Sequence, residues 1–132
     1  RKGLDITRAA LQVYREGAQD FTDTSADPVV PLNGVSLNFN VKQTSIGIIY
    51  LVYRVKNSVT GNFSAFQLAI NNISEGPRSQ SVDNSSTSQQ SHNIYYPRLF
   101  TPGNYGITVR ARVSSGTGST DGIHLSALIL GL

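Results

Sequence analysis

The feature that most constrains this chain is a strict alternation of apolar and polar side chains. Val35, Leu37, Phe39 and Val41 alternate with Ser36, Asn38, Asn40 and Lys42. Tyr105, Ile107, Val109, Ala111 and Val113 alternate with Gly106, Thr108, Arg110, Arg112 and Ser114. Successive side chains of an extended strand point to opposite faces, so each segment fits a strand with one face on a core and one on water.

Two segments depart from the alternation in the same way. In Ile46–Val55, Ile46, Ile48, Tyr50 and Val52 share one face, and Ile49, Leu51, Tyr53 and Val55 share the other. In Ile123–Leu132, Leu128, Leu130 and Leu132 lie opposite Leu125, Ala127 and Ile129. A strand apolar on both faces must be covered on both, and in an antiparallel sheet the second cover is often another subunit. These two segments therefore imply an oligomer.

The remaining chain supplies further strands and turns. Asn62–Asn72 reads as a strand after the turn Asn57–Gly61, and Ile94–Phe100 reads as an edge strand because Pro97 cannot donate to a ladder. Thr101-Pro102-Gly103-Asn104 is a turn signal, and Ser114–Gly122 reads as a loop. Residues 76–93 are polar and nearly free of large apolar side chains, which fits a long loop or a weak edge strand. Asp20–Pro31 reads as a loop with short extended pieces, since Pro28 and Pro31 forbid a helix there. Leu4–Arg15 admits a helix or a strand; a strand from about Ala9 to Arg15 is favoured. The expected organisation is a linker or coiled-coil end over 1–8 and one domain over 9–132. Seven or eight short strands separated by turns predict an all-β, antiparallel jelly-roll sandwich.

Composition narrows the function classes. At 132 residues the chain fits one domain, and it has no cysteine for a disulfide, thiolate site or thiol nucleophile. Charged residues are only 14%, and the net charge of +3 comes from scattered basic residues without a run or a stripe. Nucleic acid is therefore not an expected partner. No apolar run reaches 18 residues, so no transmembrane helix and no stable membrane insertion are expected. Ser, Thr, Asn and Gln together number 43, giving the neutral polar surface common in extracellular and virion β-proteins.

Catalytic chemistry finds no support. His92 and His124 are far apart in sequence, and Asp20, Asp23 and Asp27 match no calcium-loop spacing. No phosphate-binding loop, dinucleotide fingerprint or nucleophile elbow is present. No catalytic residue, metal or cofactor is assigned, and the chain is not expected to be an enzyme. Asn62, Asn72 and Asn84 begin glycosylation sequons, which chance explains in so Asn- and Ser-rich a chain. Tyr95, Tyr96 and Arg98 are the best recognition candidates, since aromatic faces stack on sugars and Arg grips carboxylates with two hydrogen bonds. Arg54 joins them, because an Arg on a strand with two apolar faces needs an acidic or ligand partner.

The order of these segments resembles the C1q/TNF-like trimeric jelly roll. Ile46–Asn57 (IGIIYLVYRVKN), Phe63–Asn72 (FSAFQLAINN), a long polar stretch, Pro102–Val113 (PGNYGITVRARV) and Asp121–Leu130 (DGIHLSALIL) carry the resemblance over roughly residues 30–132. It implies a homotrimer whose inner sheet holds Ile46–Val55 and Ile123–Leu132 beside the three-fold axis. Phage proteins use this architecture as terminal knobs. The implied role is therefore a virion knob at the tip of a tailed-phage tail needle or fibre, acting in host attachment or envelope penetration. Clefts between subunits would then offer a small anionic ligand or host surface glycan a site lined by Arg54, Tyr95, Tyr96 and Arg98. The alternative is a monomeric carbohydrate-binding β-sandwich module.

Overall fold

A computed structural model describes residues 8–82 and 89–132. Nine strands lie among the described residues: β1 (Arg8–Arg15), β2 (Gln19–Phe21), β3 (Val30–Val41), β4 (Ser45–Asn57), β5 (Phe63–Ile70), β6 (Ile73–Val82), β7 (Gln90–Phe100), β8 (Gly103–Val113) and β9 (Gly118–Gly131). The segment expected as a linker lies almost wholly outside the described residues, and Arg8–Arg15 is a strand.

The strands form two antiparallel sheets. One runs β1-β9-β4-β7, with β2 also pairing β9; the other runs β3-β8-β5-β6. The chain changes sheet between β2 and β3, β3 and β4, β4 and β5, β6 and β7, β7 and β8, and β8 and β9. This is the all-β jelly-roll sandwich that the alternation predicts.

The core lies between the sheets, where both inner faces contribute. Ile49, Leu51, Tyr53 and Val55 of β4 meet Phe66, Leu68 and Ile70 of β5, and Leu125 and Ile129 of β9 are buried with them. Burial of this kind stabilises by roughly 1.5–3 kcal/mol per large side chain. Tyr53 brings a polar tip into this core, and its hydroxyl donates to Ser79 Oγ at 2.6 Å. Burial pushes its phenol up to about 12, partly offset by that hydrogen bond.

Two glycines shape the five-stranded sheet. A Cβ at Gly47 would stand 2.8 Å from Phe100 Cδ2, so the ring occupies space a side chain would need. Opposite Tyr53, the β4–β9 register slips between Val52 and Arg54, and Gly122 sits there with φ of 56°. Glycine takes that left-handed backbone without steric cost, and a Cβ there would crowd Arg54 Nε at 3.0 Å, so this residue permits the bulge.

One open reading of the sequence is resolved in favour of an edge strand, and one is corrected. Much of the polar 76–93 segment is strand, with β6 reaching Val82 and β7 starting at Gln90; residues 83–88 lie outside the description. Among the described residues β6 pairs only with β5, so most of its residues meet solvent and few need be apolar. Gly118–Gly122 is the start of β9 and not a loop. Gly118 is buried against the Phe21 ring, so its small size answers close packing.

Candidate functional site on the outer face of the five-stranded sheet

The apolar side chains of β4 that point away from the core are Ile46, Ile48, Tyr50 and Val52. Register places them in rows with their neighbours. Ile46 lies between Leu130 of β9 and Leu99 of β7, Ile48 between Leu128 and Pro97, and Tyr50 between Ser126 and Tyr95. The next row, Val52 between His124 and Asn93, ends the apolar region. Tyr50, Tyr95, Leu99 and Leu128 are all exposed, at 40%, 57%, 54% and 36%. In these three rows the β9, β4 and β7 positions carry no charged side chain, and the register continues the first row to Arg8 of β1. A hollow of about 340 Å³ opens beside them, with Ala10, Gln12, Ile48, Tyr50 and Leu128 in its walls.

An isolated exposed Leu is ordinary, whereas a contiguous apolar region crossing three strands marks an interaction surface. The two-sided character of β4 and β9, legible in the sequence, is the origin of this face.

At the end of the face, charge returns. Arg54 Nε donates to Asp121 Oδ1 at 2.9 Å, and the Arg54 side chain is half exposed. His124 Nε2 lies 3.0 Å from Gln12 Oε1, and its ring meets Tyr14 edge-on.

The four recognition residues divide between two places. Arg54 and Tyr95 are on the outer face just described. Tyr96 and Arg98 point the other way, towards β6 of the opposite sheet, where both hold one carboxylate. Tyr96 Oη donates to Glu75 Oε2 at 2.5 Å, and Arg98 Nε donates to the same oxygen at 2.9 Å. The Arg98 guanidinium also lies over the Phe100 and Tyr105 rings. Partial burial works to raise the Glu75 carboxyl, but the two hydrogen bonds and the Arg98 charge outweigh it and hold it low. Within one chain, therefore, the four residues do not converge, and the anions expected for Arg54 and Arg98 are supplied by Asp121 and Glu75. Sequence spacing held no signal for either pairing, because the partners come from distant strands.

The other candidates also separate. His124 faces outward, whereas His92 stacks beside Tyr53 on the inner side, with centroids 6.0 Å apart. Asp27 pairs with Arg78, and Asp23 accepts the Ser25 backbone N–H at 2.8 Å. Among the described residues no group of three or more acidic, His or Cys side chains is arranged to hold a metal.

A groove missed in the sequence crosses the outer face of the four-stranded sheet. Gln67 of β5 is paired with Arg110 of β8 on one side and Arg78 of β6 on the other. A cleft of about 470 Å³ opens over this row, and a second of about 590 Å³ lies beside it, lined largely by asparagines. These residues come from four separate strands and their turns, so only the sheet register brings them together.

No protein-family model matches the chain, and no curated protein matches it in sequence. Solved structures do match. The chain is similar to Eiger TNF from S. frugiperda, with a TM-score of 0.53 and 12% identity over 92% of this chain and 91% of that one. It is similar to infectious bursal disease virus VP2 in a subviral particle, with a TM-score of 0.55 and 10% identity. That match covers 97% of this chain but 33% of VP2, so the chain spans about a third of the viral protein. A family 35 carbohydrate-binding module from Clostridium thermocellum matches at a TM-score of 0.47 and 19% identity, over 89% of this chain and 97% of the module. At these identities the likeness is one of fold.

Proposed function

We propose that the chain is a non-catalytic jelly-roll knob that assembles as a homotrimer and serves at the surface of a virion. Its place would be the tip of a phage tail needle or fibre, and its role host attachment or envelope penetration. The carrying observation is the apolar part of the outer face, in which Ile46, Leu130 and Leu99, then Ile48, Leu128 and Pro97, lie side by side. Covering it with two further copies would remove apolar surface from water at about 25 cal/mol per Å². The order of segments that resembles C1q/TNF knobs supports the trimer, since β4 and β9 are the strands it sets beside the axis. The Cys-free, neutral polar surface supports the virion setting.

Light scattering at micromolar concentration tests the assembly. A mass three times the 14.2 kDa chain is expected. A stable species at the chain mass would overturn the trimer and favour the second reading, a monomeric carbohydrate-binding module. That reading draws on the polar groove across the opposite sheet. Binding of labelled protein to intact bacterial cells tests the attachment role; no adsorption to any host tried would count against it.

A further inference from the structure

The groove over Gln67 holds an unneutralised positive charge. Arg110 donates from Nη1 to Ser74 Oγ at 3.1 Å and from Nη2 to the Asn72 carbonyl at 2.8 Å. Both acceptors are neutral, so they fix the guanidinium without cancelling it. Among the described residues no carboxylate lies within ion-pair distance of Arg110. Across Gln67, Arg78 is paired with Asp27, which also lines the groove. Two guanidiniums and one carboxylate leave one positive charge. Arg54 and Arg98, by contrast, each have a carboxylate of their own.

The groove's other groups are apolar or neutral. Val29 and Ile73 line it and are 45% and 69% exposed, offering aliphatic surface to a ring. Asn72 belongs both to this groove and to the neighbouring cleft, where Asn38, Asn104 and Thr108 add amides and a hydroxyl. The Asn38 and Asn72 carboxamides make no hydrogen bond among the described residues. Asn72 is nevertheless fixed in place. It shares a two-residue turn with Asn71 between the paired Ile70 and Ile73, and both have positive φ, at 51° and 67°. Asn71 Oδ1 in turn accepts the Gly106 N–H at 2.8 Å.

One fixed guanidinium, aliphatic walls and a run of neutral amides describe a site for a carboxylated sugar. We propose that this double groove binds an acidic saccharide, with Arg110 holding the carboxylate and the asparagine cleft taking an adjoining neutral sugar. Asp27 in the wall disfavours a dianion such as phosphate by like-charge repulsion. The single net charge does not suit a nucleic-acid backbone, which is held by many cationic contacts. The groove lies on the sheet opposite the proposed trimer face, so it stands whichever mass the assembly test returns.

Nuclear magnetic resonance titration with sialyllactose and with a glucuronate-containing tetrasaccharide tests the site, with lactose as the neutral control. Shifts centred on Asn72, Ser74 and Arg110 are expected with at least one acidic probe, and lactose should bind at least about ten-fold more weakly. Arg110→Gln should weaken binding about ten-fold or more, whereas Arg54→Gln should leave it unchanged. If Arg110→Gln does not fold, Asn72→Gly keeps the left-handed turn and should still weaken binding. The proposal is overturned if neither acidic probe shifts these signals at millimolar concentration. Equal binding of lactose, or shifts centred on the five-stranded sheet, overturns it equally.

Discussion

Tyr53 and Phe66 stack across the two sheets with ring centroids 3.9 Å apart and planes inclined by 30°. Tyr53 belongs to β4 and Phe66 to β5, so this pair joins the layers at the centre of the core. Removing the ring by Tyr53→Ala should cost about 3–5 kcal/mol in denaturant unfolding. Tyr53→Phe removes only the hydrogen bond to Ser79 and should cost about 1 kcal/mol, leaving Ser79 to find another partner. Equal losses for the two variants would show that the hydroxyl, and not the ring stack, dominates.

The same phenol should be visible in a pH titration. Its folded-state value is raised, so the stability linked to its protonated form is full below the unfolded value near 10. That stability is lost as pH rises towards about 12. Burial and the hydrogen bond to Glu75 also raise the Tyr96 phenol, so ultraviolet titration of the folded protein should show late ionisation from both, and Tyr53→Phe should remove the later step.

Glu75 ties β6 to β7, and its carboxyl is held low. The linked stability is therefore present above the unfolded glutamate value and falls as the solution is acidified through the folded one. Glu75→Gln should flatten the acid limb of a stability-against-pH curve. A double-mutant cycle with Arg98→Gln should give a coupling of about 0.5–1 kcal/mol, modest because both side chains are partly solvated. Zero coupling would remove this pair from the account of how the sheet edges are held together.

Leu128→Asp should separate folding from assembly. Leu128 is 36% exposed in a single chain, so the aspartate can be hydrated in a monomer but not beneath a neighbouring subunit. Sedimentation should show the mass falling to that of one chain while circular dichroism keeps its β signature. An unchanged mass would place the subunit contact elsewhere.

Gly47→Ala should destabilise by about 1–3 kcal/mol or more, because the new methyl enters the space of the Phe100 ring. Pairing it with Phe100→Leu should recover part of the loss in thermal unfolding. No recovery would mean that the backbone, and not the ring, sets the demand for glycine.

Much of this architecture was legible from side-chain alternation. Val35, Leu37, Ile107 and Val109 are buried as their spacing requires, and β4 and β9 carry apolar residues on both faces. Alternation fails where burial is decided by something other than hydrophobicity. β6 is a strand despite its polarity because the sheet edge leaves it in water, and Gly118 is strand because Phe21 leaves no room for a side chain. Arg54 has the acidic partner its strand called for, but spacing could not name Asp121, which reaches it only through the bulge between β4 and β9. The Arg110 groove was not legible at all. Its parts are separated by tens of residues, and only the pairing of Gln67 with both Arg78 and Arg110 places two guanidiniums on one row.

β9 pairs with β1, β2 and β4, although it is the last of the described strands to leave the ribosome. β1, the first of the described strands, thus waits through the synthesis of seven others before β9, its only ladder partner among the described residues, exists. Until then β1 and one edge of β4 expose unpaired backbone and apolar side chains to whatever else is nearby. Such non-local pairing favours folding in milliseconds to seconds over microseconds. It also makes the interval before β9 emerges the time when nascent chains are most prone to pair with one another.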